Sequence, residues 1–512
     1  MLQDSRRSKF QDDERLTATS QVVATPELLH LICGYCTPIQ NRHNALVSKT
    51  WSNEALGVLW YELDSLAPLL GLLAPLKLVD KKIYKFDRHT RPGDWAIFHK
   101  YSWRVHTIDA NEQSADFDTS VFVDIAVSRP ASDFLPNLSR LAYPDDLSSF
   151  QFIPLFMSPS LVHLNLSLMS DETYEAICEE ILSYVPEKAP NLEHIVLQAS
   201  SAVDTETVDS LRLDVLFSSL SRLKTVVIAP TFFVPSAIHG LGHLQGLRSL
   251  TIPFDGNNPP KPLNLTTPSN TFSSLTNFLT EWNSFHDIIS FLDVYNPPAL
   301  RSLSVASHEA EVAEMFARLL EVTLSGRPYL EEISLSALRC NTVISEPSVS
   351  ADFFHVLHGG TNLTSLVLCD TPPLSLSIRT VCDLLKALPS LQKLRLLEYP
   401  TAPPTFPLSG LSELAPLCPR LEELALYMET SQVQGVSVPH RNASECFQRL
   451  RCLSVGTSPL DSPALEVTAF LSSILPKWCC LARGWDHHLP IDERQAKYDA
   501  WKSVVDSLST MV

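Results

Sequence analysis

Four groups of side chains in this sequence have types and spacings that could do chemistry. Cys33-Gly-Tyr-Cys36 has the spacing of a dithiol redox pair, which needs a strand before it and a helix dipole acting on the first thiol. Cys479-Cys480 with His487-His488 offers ligand types that hold zinc. Gly240-Leu-Gly242-His-Leu-Gln-Gly246 comes within one residue of the glycine fingerprint for a dinucleotide. Scattered Asp and Glu could supply an acid–base pair only if the fold brought two together. Context argues against the first three. The first cysteine pair ends an amphipathic helical stretch, adjacent cysteines rarely chelate one ion together, and the glycine run stands ahead of a strand instead of behind one. No Walker loop, H-E-x-x-H or G-x-S-x-G is present. The expectation is a binding protein with no catalytic site, no metal and no cofactor.

The elements that would position any site are set by length and composition. The chain has 512 residues, 45% of them hydrophobic, enough for several domains or one extended repeat array. Its net charge of −18 argues against general nucleic-acid binding, which needs clustered Lys and Arg. The first twenty residues, with Arg6, Arg7, Lys9, Asp12, Asp13 and Glu14, lack the apolar core of a secretory signal. No run reaches the roughly 18–20 apolar residues of a membrane span. The 11 cysteines, odd in number and scattered, fit reduced thiols, and a cytoplasmic or nuclear location is expected.

A short phrase recurs along most of the chain: Leu, two residues, an apolar residue, one residue, another apolar residue. It reads Leu161-Val-His-Leu164-Asn-Leu166, then begins again at Leu192, Leu223, Leu247, Leu300, Leu330, Leu363, Leu391, Leu421 and Leu450. Weaker copies begin at Leu138 and Leu275, and a degenerate one at Val105. Starts are spaced from 23 residues (Leu138 to Leu161) to 33 (Leu330 to Leu363). The last two apolar residues lie two apart, so they share one face of a short strand. Parallel stacking of such strands buries those rows together, which no single copy could do. Between phrases, Tyr174–Leu182 and Val381–Leu388 carry apolar residues at helical spacing.

This pattern matches the leucine-rich repeat, whose period is about 20–29 residues. The expected fold is α/β: a leucine-rich-repeat solenoid, a horseshoe with parallel strands inside and helices outside. The usual repeat has Asn or Cys three positions after the last Leu. Here those positions hold Met169, Ser200, Thr231, Asp255, Thr371 and Tyr399, so the tie between turns is expected to be irregular.

Residues 22–63 leave the repeat. A helix start at Thr25-Pro26 is followed by Leu28, Leu29 and Ile32, then a polar break from Thr37 to Arg42, then Val47, Trp51, Leu59 and Trp60. This stretch resembles the F-box, a small all-α module, with the match at Pro26, Leu28, Leu29, Ile32, Val47, Trp51, Leu59 and Trp60. Thr25 stands where the family has Leu, Ser48 where it commonly has Cys, and the family's acidic Asp-Pro-x-Asp is missing. The combination is similar to fungal F-box-like proteins with leucine-rich repeats. The resemblance implies a substrate-recognition subunit of an SCF-type (cullin–RING) ubiquitin ligase. Those eight residues would dock the Skp-type adaptor, and through it a cullin, while the repeats bind a target protein. The alternative is an interaction scaffold whose helical start is only a solenoid cap, with no ubiquitin-ligase role.

The expected organisation is a disordered tail over 1–21, the F-box-like module over 22–63 and a linker with first cap helices over 64–100. The solenoid runs over 101–480, and a capping helix over 481–512 carries Trp501, Val504, Val505 and Leu508 on one face. Alternation places His163, Asn165, His194, Lys393, Arg395, Glu423 and Tyr427 on the concave face as candidate target contacts. No nucleic-acid or membrane partner is expected.

Overall fold

The computed structural model describes residues 22–23, 25–80, 83–110, 116–130, 133–143, 150–168, 172–199, 208, 211–254, 271–282, 284–309, 311–337, 351–371, 374, 376–398, 403–431, 446–482 and 499–508. The tail expected over 1–21 lies outside these residues, as do Met169, Ser200, Asp255, Tyr399 and the 487–488 histidines. Two compact units form, one of residues Met1–Ser167 with Glu187–Leu192, the other of Leu168–Pro186 with Glu193–Val512.

The first unit opens with helices α1 (Pro26–Gly34), α2 (Pro38–Asn44) and α3 (Lys49–Leu59). The polar break is therefore a helix. Thr37 accepts from the Gln40 amide while Gln40 accepts from the Thr37 amide, a capping box, with Pro38 at the first position. Buried Asn41 donates its side-chain amide to the Cys33 carbonyl at 2.8 Å and locks α2 to the end of α1.

Four parallel strands follow in this unit: β1 (Glu62–Leu63), β4 (Thr107–Asp109), β6 (Arg140–Tyr143) and β7 (His163–Leu168). Residues 64–100, expected as linker and cap helices, contain helix α4 (Pro92–Ser102, running slightly past that range). They also contain a hairpin of β2 (Leu76–Leu78) and β3 (Ile83–Phe86), which β5 (Asp116–Phe117) joins in parallel.

The second unit holds eleven parallel strands: β8 (His194–Ala199), β9 (Thr225–Ile228), β10 (Ser249–Ile252), β11 (Asn277–Trp282), β12 (Ser302–Ser307), β13 (Glu332–Ala337), β14 (Ser365–Thr371), β15 (Lys393–Glu398), β17 (Glu423–Leu426), β19 (Cys452–Ser454) and β20 (Cys480–Ala482). The small pair β16 (Phe406–Pro407) and β18 (Met428–Glu429) lies apart from that ladder. All thirteen phrases form strands, and each strand starts two residues after its phrase begins. The fourth residue of each phrase keeps register from rung to rung, as in Ile195, Val226, Leu250, Phe278, Leu303, Ile333 and Leu366. These side chains are at most 1% exposed, each contributing about 1.5–3 kcal/mol of hydrophobic stabilisation. Helices between strands include α5 (Thr119–Ser128), α6 (Glu172–Lys188), α7 (Leu213–Ser219), α8 (Pro235–Gly242), α9 (Phe285–Tyr295), α10 (Ala313–Leu324) and α11 (Ile378–Ala387), so the chain is the expected α/β leucine-rich-repeat solenoid.

The missing Asn ladder is replaced from the other end of the strand. At the expected ladder positions, the hydroxyls of Thr231 and Thr371 are buried and unbonded. Instead, an Asn just ahead of the phrase reaches the carbonyl two residues ahead of the previous phrase. Asn137 donates to Trp103, Asn191 to Pro159 and Asn362 to Pro328, all at 2.7–2.8 Å. Residues second in the phrase repeat the device, with the Ser139, Thr276 and Thr364 hydroxyls donating to His106, Arg248 and Glu331 carbonyls.

Arg327 joins two helix ends. Gly326, at φ +72°, reverses the chain after α10, a conformation that favours glycine. The buried Arg327 guanidinium then donates to the carbonyls of Val322 and Thr323 at the end of α10 and of Leu292 in the last turn of α9. Burial lowers its pKa to about 10, so it stays charged at neutral pH. Arg327→Ala should destabilise the second unit by about 3 kcal/mol, because each stranded carbonyl costs roughly 1–3 kcal/mol. Arg327→Lys should restore part of that loss. Urea denaturation checks both, and an unchanged midpoint in the alanine variant would refute the clamp.

Candidate functional site

Helix α1 is apolar on two sides. Leu29 and Cys33, four apart, are fully buried against the module. Leu28, Leu31, Ile32 and Tyr35 occupy the opposite stripe, and all are exposed, Leu31 by 60% and Tyr35 by 93%. Ile39 on α2 and Leu46 and Val47 after it are exposed as well, Leu46 by 84%. An amphipathic surface helix presents charge and amide groups to water, and this one presents leucine and isoleucine.

The residues proposed from sequence divide accordingly. Pro26, Leu28, Ile32 and Val47 lie on the surface, and Trp51 and Leu59 are half-buried. Leu29 is a correction: it is 0% exposed and holds the module together. Trp60 is half-buried, packs on Tyr101 at a ring distance of 4.9 Å, and leads into β1 as the first residue of a phrase, Trp60-Tyr-Glu-Leu63. Sequence reasoning missed Leu31, Tyr35, Ile39 and Leu46. The i, i+3, i+4, i+7 spacing from Leu28 to Tyr35 was the available signal.

On the strand ladder, His163, Asn165, His194, Lys393, Arg395 and Glu423 all occupy the positions that face away from the buried rows. Lys393 and Glu423 are register partners on β15 and β17, and their charges meet at 3.1 Å. Tyr427 is a correction. β17 ends at Leu426, and Met428–Glu429 turns away to pair with Phe406–Pro407, so the alternation breaks and Tyr427 is 5% exposed.

Two of the groups that could do chemistry are held by other duties. Cys33 sits in the last turn of α1, and burial, then Cys36 and Glu54, pushes its thiol above the usual range. A C-β atom on Gly240 would meet the Asp214 carbonyl at 2.9 Å, so that glycine serves close packing between the helices Leu213–Ser219 and Pro235–Gly242. Among the described residues no group of three or more His, Cys, Asp or Glu is arranged to hold a metal ion, and no helix is long and apolar enough to cross a membrane.

Asp287, Glu309 and Glu311 do gather near the start of α9. Glu311 is already committed, accepting from the Phe285 amide and the Ser307 hydroxyl, each at 2.6 Å. It caps a helix N-terminus with one oxygen and ties that helix to the next strand's exit.

Neither a protein-family model nor a curated protein matches the chain. Among solved structures, that of "the Toll - Spatzle complex, a molecular hub in Drosophila development and innate immunity" is similar at 11% identity and a TM-score of 0.28. The match covers 75% of this chain and 49% of that one, so the chain spans about half the length of its neighbour. A likeness of that size carries no argument, and the fold rests on the strand ladder itself.

Glu311 generates a pH prediction. Burial raises its pKa more than its two hydrogen bonds lower it, with Glu309 and Asp287 adding to the rise, and Asp287 is raised by burial too. The folded value lies above the unfolded one, so the protonated acid is the form the fold prefers. That contribution is complete below the unfolded carboxyl pKa and is lost as pH climbs through the raised folded value. Glu311→Gln, which keeps the acceptor oxygen, should therefore flatten the loss of stability over the pH range above the ordinary carboxyl value of about 4. Urea midpoints measured across that range test this, and a slope identical to wild type would contradict it.

Proposed function

We propose that the chain is the substrate-recognition subunit of an SCF-type ubiquitin ligase. Its helical module docks a Skp-type adaptor, which links it to a cullin, and its repeats capture a target protein. The observation that carries this reading is the second apolar stripe of α1. Leu28, Leu31, Ile32 and Tyr35, continued by Ile39, Leu46 and Val47, make a surface that folding of the module leaves uncovered. Apolar patches of this kind, set on helices, mark sites where a protein partner excludes water. The F-box resemblance of the same segment supplies the partner class. A plain solenoid cap needs a polar outer face, and this module has the reverse.

Target capture is assigned to the inner face of the ladder, the surface that solenoids use. Lys393, Arg395 and Glu423 give its charged end, and the chemistry is recognition, without catalysis or a cofactor. The alternative, an interaction scaffold without a ligase role, shares the ladder but has no use for the exposed stripe.

Two sets of variants test this. In a pull-down of the full chain with a Skp-type adaptor, Leu31→Asp with Val47→Asp should weaken binding at least about 30-fold, the loss expected from a hot spot of about 2 kcal/mol. The thermal midpoint should hold, because both side chains are exposed. Leu29→Ala should instead destabilise the module by about 2–5 kcal/mol. Wild-type chain that forms no complex would leave the scaffold reading. Lys393→Ala with Arg395→Ala should reduce target capture from cell extract while adaptor binding persists. Unchanged capture would move the target site elsewhere.

A further inference from the structure

Cys452 and Cys480 hold the same position on adjacent parallel strands, paired in register at the last two rungs of the second unit. Each is the third residue of its phrase, one position ahead of the row formed by buried Leu453 and half-buried Leu481. Cys480 is exposed, Cys452 is half-buried, and neither is bridged. The nearness of Cys480 adds to the rise of the Cys452 thiol that burial begins. A third thiol, Cys479, is next in the chain and turns back to the Cys480 carbonyl at 3.6 Å.

Register neighbours in a parallel ladder lie roughly 4.8 Å apart, inside the Cα range that disulfides span, about 4.4–6.8 Å. Their Cβ bonds run side by side and do not converge, so a bridge there carries strain and is readily reduced. The groups around the pair are Glu423, its neighbour on β17, and Arg395 on β15, whose charges act on Cys452 in opposite directions. Burial holds the Cys452 thiol up at about 11 and the Cys479 thiol up at about 12, and Cys480, the exposed thiol of the three, is the one that an external disulfide can reach.

We propose that Cys452 and Cys480 are a thiol–disulfide exchange site, closed to a reversible bridge across the last two rungs by a low-molecular-weight disulfide of the glutathione type. The Cys480 thiolate attacks one sulfur of the external disulfide, forming a mixed disulfide and expelling one thiolate. That thiolate takes the Cys452 proton. The Cys452 sulfur then attacks the Cys480 sulfur, forming the intrachain bond and expelling the second small thiolate, which takes up the proton that Cys480 gave to solvent. Two protein thiols are oxidised and one external disulfide is reduced to two thiols. The bridge lies one rung from the Lys393–Glu423 ion pair, so redox state would alter the charged end of the inner face.

The test uses the full chain and oxidised glutathione, with alkylation and peptide mapping by mass spectrometry. Wild type should lose two free thiols and yield the Cys452–Cys480 linked peptides, and dithiothreitol should restore both. Cys452→Ser should stop with one glutathione on Cys480. Cys479→Ser should close like wild type, and Cys480→Ser should react at least about tenfold more slowly at this site. A Cys479–Cys480 bridge in wild type, a mixed disulfide on Cys480 that never resolves, or thiols that stay free would each overturn the proposal. Circular dichroism monitors the variants, with Cys452→Ala in reserve if serine perturbs the strand. The wild-type linkage map decides the matter independently of any variant.

Discussion

A strand of the L-x-x-L-x-L type has its apolar side chains on one face, and a single copy cannot cover them. Only the rungs on either side can, so burial of the Leu rows is a shared property of neighbours. The other features of the ladder follow from this need for each rung to meet the next in register. A slip of one residue would turn a Leu row out to the opposite face and replace it with residues such as Ser302 and Ser304. The second residues of successive phrases guard against that slip. Glu193 meets Lys224 at 2.6 Å, Arg301 meets Glu331 at 2.7 Å and Glu422 meets Arg451 at 3.3 Å. Exposed pairs like these add little stability, typically under about 1 kcal/mol, and their effect is to favour one register over its neighbours.

Shared burial leaves a problem at each terminal rung, which has a neighbour on one side only. In the second unit, the helix at 499–508 docks on the segment that follows β19. Trp501 and Val504 are buried, and the Trp501 indole donates to the Ser458 carbonyl at 2.8 Å. In the first unit, α3 runs straight into β1, and Arg104 donates to Asn53 on α3 at 2.8 Å. The helical module is therefore continuous with the ladder it precedes. Arg327 solves a related problem inside the stack, where two helices end together in a buried place and their last carbonyls need donors.

The ladder was legible because its signal is repeated: each of thirteen phrases is weak alone, and their common period is not. The two ladder strands that escaped notice, Glu62–Leu63 and Cys480–Ala482, have Trp where the phrase begins with Leu, at Trp60 and Trp478. A bulky aromatic suits the ends, where no further row of the described residues stacks on it. Helix α2 escaped because Thr37-Pro38 reads as a break, although Thr37 and Gln40 have the spacing of a capping box. Tyr427 was misplaced for a nonlocal reason, since alternation holds only while the strand lasts, and the pairing of β18 with β16 cuts it short. The Asn ties were illegible for want of the right offset, because the asparagines stand ahead of the phrase.

The same logic of one-sided burial separates the two surfaces offered for partners. A folded element that exposes an apolar stripe does so against its own solubility, and α1 already has a buried stripe in Leu29 and Cys33 that accounts for its folding. The second stripe adds nothing to the module by itself and gains its stabilisation only when something covers it, the behaviour of a surface kept for a lasting partner. The inner face is different in kind. Its outward positions include hydroxyl residues, Ser302, Ser304, Ser334 and Thr251, which are at ease in water. A surface that tolerates exposure suits a target that comes and goes. On the proposed reading, the chemistry of the two surfaces thus matches a receptor held continuously by one protein and visited by another.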